Sequence, residues 1–415
     1  MTGDVIRLPD RIDAAAFEPH PDRPPITATP YVWRDPTTIP ARRWLYGRTL
    51  LRGSLSMMAA PGATGKTAFL AGMALSLVSG RDLLGQRVWE GPSRVWIWNL
   101  EDSFDEMARL IQAGAKHWGL TASDLNERLF LDCAMSGNGL ILADDETGVR
   151  VPVTEALQEE LIKRRVDVLM IDPLVSAHRA SENDNGKMDQ LAKALSAIAE
   201  ASQSAVFVAH HTGKLKGAEA NAEAARGASA LVNAARSVPT INKMTTEEAN
   251  RFGIVGDLRR RYFRVYDDKG NRAPPADSSL WFHLHSVALC NGPEGDDGDN
   301  LPVVVPWYPP DAFDGLSVDH LRKVQMAVAA GDWRADAQSA DWVGNAIATV
   351  LRLDLDKPTD LARTKILLKD WLRSGALKVE IRKDNKSNPR KFVVVGRDPD
   401  DMSSPSQGGE TNVRT

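Results

Sequence analysis

Residues 54–79 read SLSMMAAPGATGKTAFLAGMALSLVS, and the fold prediction begins from this stretch. Residues 54–59 form a short apolar run that is typical of a buried parallel strand. The segment APGATGKT follows at residues 60–67, and residues 68–78 carry the apolar pattern of a helix. A strand, a glycine-rich loop and a helix in this order predict a loop that binds phosphate groups.

The residue types of this loop suit a nucleotide. Gly62 and Gly65 allow backbone N–H groups to turn toward an anion, and the dipole of the following helix favours negative charge there. Lys66 can reach the β- and γ-phosphates, and the Thr67 hydroxyl can hold Mg²⁺. The pattern GxxxxGK[ST] is met in its relaxed form, because Ala60 replaces the first glycine. The residues expected to contact ATP here are Ala60, Pro61, Gly62, Ala63, Thr64, Gly65, Lys66, Thr67 and Ala68.

Composition excludes several classes of protein. The chain has 415 residues, of which 43% are hydrophobic and 26% charged, as in soluble globular proteins. The net charge of −4 means that any contact with nucleic acid must come from a local basic patch. Cys133 and Cys290 are too few for a disulfide framework or metal cluster, and we expect two buried thiols in a reducing cytosol. Membrane-length apolar runs and a signal peptide are missing from the sequence, which predicts a cytoplasmic protein without membrane contact.

The chain divides by composition and pattern into four segments. Residues 1–40 are rich in Pro and Asp and are expected to be a disordered leader. Residues 41–310 are expected to form the main α/β core, residues 315–397 a smaller basic domain, and residues 398–415 a disordered tail. Within the core, strands are predicted at 93–100, 129–132, 166–172 and 205–210, and helices at 104–118, 153–164 and 188–202. This alternation predicts a mostly parallel sheet covered on both faces, with its active site at the carboxyl ends of the strands.

After residue 237 the pattern changes. Short strands at 237–243, 261–267, 280–286 and 303–307 are expected to extend the sheet in antiparallel fashion. Three helices at 316–330, 342–353 and 359–374 precede a hairpin of strands 378–382 and 391–395, which predicts a winged-helix-like α+β domain. Residues 315–397 hold 16 Lys and Arg against 10 Asp and Glu. In the hairpin Val379, Ile381, Phe392 and Val394 alternate with polar residues, which predicts strands that are buried on one face.

Two acidic positions are candidates for work beside the phosphates. Asp172 ends an apolar strand, as a carboxylate near Mg²⁺ requires. Pro173 follows it, so the carboxylate that activates water must come from another strand. Glu101 leaves the strand at 93–100, which follows the helix of the glycine-rich loop, at the same edge and can orient or deprotonate water, with Asp102 as the alternative. Asp102 or Ser103 also suits the start of a helix.

Polar residues follow the strand at 205–210. His210, His211 or Thr212 can sense the γ-phosphate from this position, although a structural or metal-binding histidine is the competing interpretation. Zinc is disfavoured because no cysteine or second histidine cluster is near in sequence. Residues 212–225 carry Lys214 and Lys216 in a small, polar segment that fits a mobile loop. Composition leaves contact with nucleic acid and simple solvation equally open.

The succession APGATGKT, NLED, VLMIDPL, SENDNG, AHHTGK and RGASALVNAAR resembles the RepA-like P-loop ATPases, which have a RecA-like fold and include a hexameric plasmid helicase. The resemblance covers residues 44–307. It implies phosphate binding by Lys66, Mg²⁺ binding by Thr67 and, through water, by Asp172, catalysis by Glu101, and coupling of the γ-phosphate to DNA by His211. It also implies an arginine finger, Arg236, that enters a neighbouring subunit's site with support from Lys269. Arg226 competes with Arg236 for this role, and the appended basic domain departs from the compact plasmid helicase.

These observations support a first functional hypothesis. The chain is expected to be an ATP-hydrolysing helicase or ATPase of a mobile element. It would form a homo-oligomeric ring, six-fold in the family, and act on DNA, single-stranded for the core and duplex for the C-terminal domain. An ATP-gated DNA-binding initiator or regulator is the alternative. A nucleotide kinase is disfavoured because no lid with clustered arginines is evident.

Overall fold

The computed structural model describes residues 28–212, 219–221, 229–270, 279–383 and 388–397. Most of the predicted leader, the predicted tail, and Lys214, Lys216, Arg226 and Lys386 lie outside these residues. The chain divides into two compact units between Arg42 and Arg43. In the first unit, a 3₁₀ turn at Pro36–Thr38 is capped by the Asp35 side chain, which accepts a hydrogen bond from the Thr37 N–H.

The second unit alternates strands and helices as predicted. Its helices are α1 (Lys66–Ser79), α2 (Phe104–Trp118), α3 (Ala122–Leu125), α4 (Val151–Arg164), α5 (Asn185–Ser202), α6 (Ser229–Ala234), α7 (Thr246–Phe252), α8 (Val318–Ala329), α9 (Val343–Leu351) and α10 (Pro358–Ser374). Its strands are β1 (Trp44–Tyr46), β2 (Leu50–Leu51), β3 (Leu55–Ala60), β4 (Val95–Asn99), β5 (Leu129–Cys133), β6 (Ala143–Asp144), β7 (Gly148–Val149), β8 (Val168–Asp172), β9 (Ala205–His211), β10 (Ser237–Lys243), β11 (Tyr262–Gly270), β12 (Leu280–Ala288), β13 (Asn300–Pro306), β14 (Leu377–Lys383) and β15 (Pro389–Val395).

A mixed sheet forms the centre of the molecule. Its order is β13-β12-β11-β10-β3-β9-β8-β4-β5. The strands from β10 to β5 pair in parallel, and β11, β12 and β13 extend the sheet in antiparallel fashion. Strand β9 lies between the strand that precedes the glycine-rich loop and the strand that ends in Asp172. This arrangement confirms the predicted α/β class, with a mostly parallel sheet and an antiparallel extension.

Alternating side chains bury both faces of the sheet. On one face Met57, Ile171 and Val208 pack with residues of α4, α5 and α6. On the other face Met58, Met170 and Phe207 pack with residues of α1 and α2. Because successive side chains of a strand point to opposite faces, near-continuous apolar strands are what a two-faced core requires. The strand ends are thereby fixed at one edge, where the polar residues gather.

Residues 312–393 hold a further hydrophobic cluster, which includes Val324, Ile347, Leu367 and Trp371. The hairpin β14–β15 joins this cluster only at its base. Leu377 and Val393 are buried, whereas Val379 is 44% and Ile381 72% exposed. The prediction that Val379, Ile381, Phe392 and Val394 share one buried face is therefore wrong. The register pairs Phe392 with Glu380 and Ile381 with Lys391, so Val379 and Ile381 lie on the opposite face from Phe392, which is buried.

The structure differs from the sequence analysis at two further points. Cys133 is buried, and burial raises the pKa of its thiol, but Cys290 is exposed. Helix α7 was not predicted, although Thr245 and Glu248 form a capping box at its start and Gly253 ends it. None of the helices in the described part of the chain is long and apolar enough to cross a membrane.

Candidate nucleotide-binding site

The glycine-rich loop connects β3 to α1 at the carboxyl edge of the sheet. Ala60 is the last residue of β3, is fully buried and pairs with His211 of β9. An alanine is therefore accommodated where the first glycine is usual, since a strand residue needs no left-handed backbone. Gly65 has a φ of +89° and begins α1, so its conformation does require glycine. At the apex the left-handed residue is Ala63, with φ +55°, rather than Gly62.

Two hydrogen bonds hold the glycine-rich loop. The Thr64 hydroxyl donates a hydrogen bond of 2.8 Å to the Pro61 carbonyl. The N–H of Thr212, just after β9, donates to the Ala60 carbonyl at 3.0 Å. These bonds fix the loop's ends, while Gly62 and Ala63 stay exposed at its apex. The first N–H groups of α1 have no partner within the helix and meet the positive end of its dipole, which makes this an anion-binding surface.

Three of the predicted residues form a buried group behind the loop. Lys66 Nζ lies 2.6 Å from Asp172 Oδ1, and the exposed fractions of the two side chains are 6% and 2%. The Thr67 hydroxyl donates to Asp172 Oδ2 at 2.9 Å. Among the described residues Oδ1 accepts no hydrogen bond, so its contact with Lys66 is an ion pair whose alignment is not that of a hydrogen bond.

This group of oxygen atoms fits Mg²⁺. The buried Asp172 carboxylate oxygen without a hydrogen-bond donor and the adjacent Thr67 hydroxyl are hard donors, which Mg²⁺ prefers over nitrogen or sulfur. Among the described residues there is no group of three or more His, Cys, Asp or Glu side chains arranged around a metal position. Mg²⁺ at phosphate sites does not need such a group, because one or two carboxylates, water and the phosphates suffice.

Glu101 stands at the neighbouring strand end. Its backbone N–H donates to the side-chain oxygen of Asn99 at 2.9 Å, and the N–H of Asp102 donates to the same atom at 2.6 Å. Asn99 is buried, and its main chain lies beside Asp172 because β4 pairs with β8. The turn formed by Asn99 therefore fixes the direction in which Glu101 leaves the sheet. Sequence reasoning missed this role, for which the signal is an Asn two residues before the carboxylate.

The two acidic candidates have different surroundings. Glu101 Oε1 lies 3.6 Å from His211 Nε2, and its side chain is half-exposed. Asp102 lies within 3.4 Å of the Asn99 amide, and Ser103 rather than Asp102 caps α2 through the N–H of Glu106. Glu101 is thus the carboxylate that faces the other predicted residues.

His211 lies between the acidic and basic groups. Its Nε2 is 3.2 Å from Lys66 Nζ and 3.6 Å from Glu101 Oε1. A neutral ring accepts from the lysine through this nitrogen, whereas a protonated ring attracts the carboxylate. His210 points to the opposite face, where its Nδ1 lies 3.9 Å from Glu182 Oε1. The alternation of the strand thereby separates the two histidines, and only His211 joins the site.

Arg236 and Lys269 lie at the other end of the sheet. The Arg236 N–H donates to the carbonyl of Leu55, the first residue of β3, so it is a strand length of about 16 Å from the loop. The Lys269 ammonium donates to the carbonyls of Val232 and Asn233 at the end of α6. Burial lowers the pKa of Lys269, and the charge of Arg236 lowers it further. Neither side chain reaches the glycine-rich loop of its own chain, and Arg226 lies outside the described residues.

Two comparisons with known proteins found similarities. A family model described as an AAA domain matches residues 20–217, slightly less than half of the chain. A solved structure described as "The Structure Of A DnaB-Like Replicative Helicase And Its Interactions With Primase" is similar at 15% identity and a TM-score of 0.41. That match covers 56% of this chain and 57% of the other, so the chain spans little more than half of its length.

Proposed function

We propose that the chain is a RepA-like P-loop ATPase that forms a homo-oligomeric ring and couples hydrolysis of Mg-ATP to action on DNA in the replication of a mobile element. The observation that carries the proposal is the continuous line of contacts Glu101–His211–Lys66–Asp172–Thr67 beside the glycine-rich loop. These residues come from α1 and from the ends of three strands, and the similarity to AAA domains spans all of them.

Each residue has a separate task in this mechanism. Lys66 and the loop N–H groups bind the β- and γ-phosphates and stabilise the negative charge that develops in the transition state. Glu101 accepts a proton from the attacking water. His211 lies within reach of both Lys66 and Glu101, so a change at the γ-phosphate alters which partner it favours. His211 ends β9 directly before the residues that include Lys214 and Lys216, which are candidates for contact with DNA.

Thr67 and Asp172 would hold Mg²⁺, which neutralises charge on the phosphate oxygens when it is bound. In the chain itself Asp172 pairs with Lys66, so nucleotide and metal binding require Lys66 to turn from Asp172 toward the phosphates. The ion pair keeps both groups in place at the base of the loop until then.

The test is ATP turnover by the full chain, measured with and without Mg²⁺ and with single-stranded or duplex DNA. Glu101→Gln should still bind ATP but lose turnover by roughly 10²–10⁴-fold, because the proton acceptor is missing. Glu106→Gln is a matched control, since Glu106 is exposed in the first turn of α2 and pairs with Arg109. Normal turnover in Glu101→Gln, with loss in Asp102→Asn, would show that the wrong carboxylate was chosen.

An ATP-gated initiator that reads duplex DNA is the second candidate, and the C-terminal region favours it. Helices α8, α9 and α10 precede β14 and β15, and residues 333–335 hydrogen-bond to β15 as a third strand would. This order supports the winged-helix interpretation of residues 315–397. Stimulation of turnover by duplex but not by single-stranded DNA would favour the initiator.

A further inference from the structure

An aromatic cavity of about 590 Å³ lies beside the antiparallel extension of the sheet. The Phe252 ring stands edge-on to Trp281 and Trp307, with centroids 5.6 and 5.4 Å apart. These rings are half-buried, so part of each remains accessible, and Tyr308 is 79% exposed at the margin. Arg264 lies 5.9 Å from the Trp281 ring while pairing with Glu219 and Glu248. Five of the fourteen residues that line the cavity are aromatic, and a cavity of this size and composition suits a planar ligand group.

A second cavity of about 870 Å³ lies between α7 and α10. Lys365, Lys369 and Arg373 line it at intervals of four residues, so they share one face of α10. Arg251 of α7 lines it as well. The acidic residues of the lining are Glu247 and Asp370, and Asp370 pairs with Arg373 at 2.8 Å. Among the described residues no ion pair within 4.0 Å involves Lys365 or Lys369, so both ammonium groups are available to an anion.

The two cavities are neighbours. Arg251 lines both, and the adjacent Phe252 belongs to the aromatic one. Beyond Phe252 the chain turns at Gly253, where an added Cβ would lie 2.4 Å from the Cα of Thr359. Helix α7 and the start of α10 therefore touch, and Gly253 and Pro358 at this contact line the basic cavity. We call the combined surface the α7 cleft.

We propose that the α7 cleft binds single-stranded nucleic acid, with bases on the aromatic side and phosphates on the basic side. Aromatic side chains that stack on bases and a basic groove that follows the backbone are the two components of sequence-tolerant single-strand binding. The residues that line the α7 cleft are different from those of the nucleotide site.

Shape and chemistry favour a single strand over two other anions. A duplex keeps its bases paired inside, so it would leave the aromatic cavity unused. An acidic peptide would pair with the lysines but has no planar groups for Phe252, Trp281 and Trp307. The proposal depends on the proposed function only in its choice of nucleic acid as the ligand.

The charge side is tested by binding of a fluorescent 30-nucleotide oligo-dT to the nucleotide-free full chain over a series of salt concentrations. Lys365→Ala/Lys369→Ala should weaken binding and reduce the slope of log K against log salt by about 1.4, since each phosphate contact contributes about 0.7 for single strands. Lys163→Ala/Lys193→Ala is the matched control, because these lysines are exposed on α4 and α5. An unchanged slope in the cleft variant would overturn the proposal.

The aromatic side is tested by Tyr308→Ala, which removes an exposed ring and spares the core. Affinity should fall by roughly tenfold while the salt slope stays the same, as expected for the loss of one stacked base. Tyr31→Ala removes a ring of similar exposure, 80%, from the other compact unit of the chain and should bind as wild type. Equal loss in both variants would contradict the proposal, as would competition by poly-glutamate as strong as that by unlabelled oligo-dT.

ATP turnover without DNA is measured on the same proteins and separates the two proposals. Normal turnover with impaired oligo-dT binding in the cleft variants supports both. A wild-type chain that binds oligo-dT through the cleft but does not hydrolyse ATP would refute the proposed function and leave the cleft standing. A wild-type chain that hydrolyses ATP but binds no oligo-dT would refute the cleft alone.

Discussion

Lys66 and Asp172 form an ion pair that is almost fully buried. Replacing either residue should therefore change the stability of the fold as well as ATP turnover. Lys66→Ala should abolish turnover, because the phosphates lose their nearest cation. It should also destabilise the nucleotide-free chain by about 3 kcal/mol, since an uncompensated buried carboxylate remains. Turnover and thermal unfolding of the purified variant measure the two effects.

A double variant separates these effects. Lys66→Ala/Asp172→Asn should regain much of the lost stability, because the unpaired charge is gone, while turnover stays absent. Unchanged thermal stability in Lys66→Ala would mean that water screens Asp172 despite its burial. Normal turnover by folded Lys66→Ala would exclude this site as the site of ATP hydrolysis.

Asn99 is predicted to act as a positioning residue for Glu101. Its side-chain oxygen accepts the N–H groups of Glu101 and Asp102, and Asn99→Ala would leave both without this acceptor. We expect kcat to fall about tenfold with KM nearly unchanged, because misdirecting a proton acceptor affects the chemical step more than binding. Asn99→Ser retains a neutral, weaker acceptor for the same turn and should recover part of kcat. Equal losses in the two variants, or a rise in KM alone, would contradict this role.

At the level of elements, the sequence predicts most of the core because its strands are buried on both faces. Runs such as VDVLMID and AVFVAH need only burial and length to be recognised, and helix α2 is predicted at its observed bounds. The site follows from strand order, since residues at the carboxyl ends of parallel strands converge. Glu101, Asp172 and His211 could therefore be proposed together before any geometry was known.

The remaining parts depend on information that a local pattern does not contain. Helix α7 is only seven residues long, and its signals are a capping box and a terminal glycine rather than an apolar stripe. Asn99 acts through backbone N–H groups, which any residue supplies. The outer hairpin keeps the alternation of a buried strand although Val379 is 44% and Ile381 72% exposed. In each case tertiary contacts determine the structure, and the periodicity of the sequence holds no information about such contacts.

The β14–β15 hairpin is predicted to contact DNA through its charges. Arg382, Lys383 and Lys391 are exposed on it, while Arg382 pairs with Glu380 and lies near Asp332. Replacing Lys383 and Lys391 by Ala should weaken duplex binding and reduce its salt slope by about 1.8, because both lysines belong to the exposed outer half. Turnover without DNA should not change. Unaltered duplex affinity and slope would make the hairpin a protein-contact element.

At the scale of the whole molecule, charge and strand polarity both bear on assembly. Residues 315–397 carry an excess of basic residues in a chain whose net charge is −4, so contact with nucleic acid is expected on this side rather than over the whole surface. The nucleotide site and Arg236 lie at opposite edges of one sheet. A single chain therefore cannot use Arg236 at its own phosphates, whereas a head-to-tail ring brings the two edges of neighbouring subunits together.

This arrangement predicts complementation between inactive subunits. Arg236→Ala removes the proposed finger, and Glu101→Gln removes the proton acceptor while keeping the Lys66–Asp172 pair and the fold. Each variant alone should show little turnover. Mixed before assembly, they should regain part of it, because some interfaces join an intact Glu101 site to an intact Arg236.

The dependence of recovered turnover on the ratio of the two variants shows whether the recovery comes from interfaces shared between subunits. Recovered turnover should be greatest near equal amounts of the two variants and should disappear on dilution below the concentration at which rings form. Arg251→Ala is the control for loss of an exposed arginine far from this edge, and its turnover without DNA should be that of wild type. A wild-type chain that hydrolyses ATP at full rate as a monomer would contradict the ring, because Arg236 lies a strand length from the phosphate loop of its own chain.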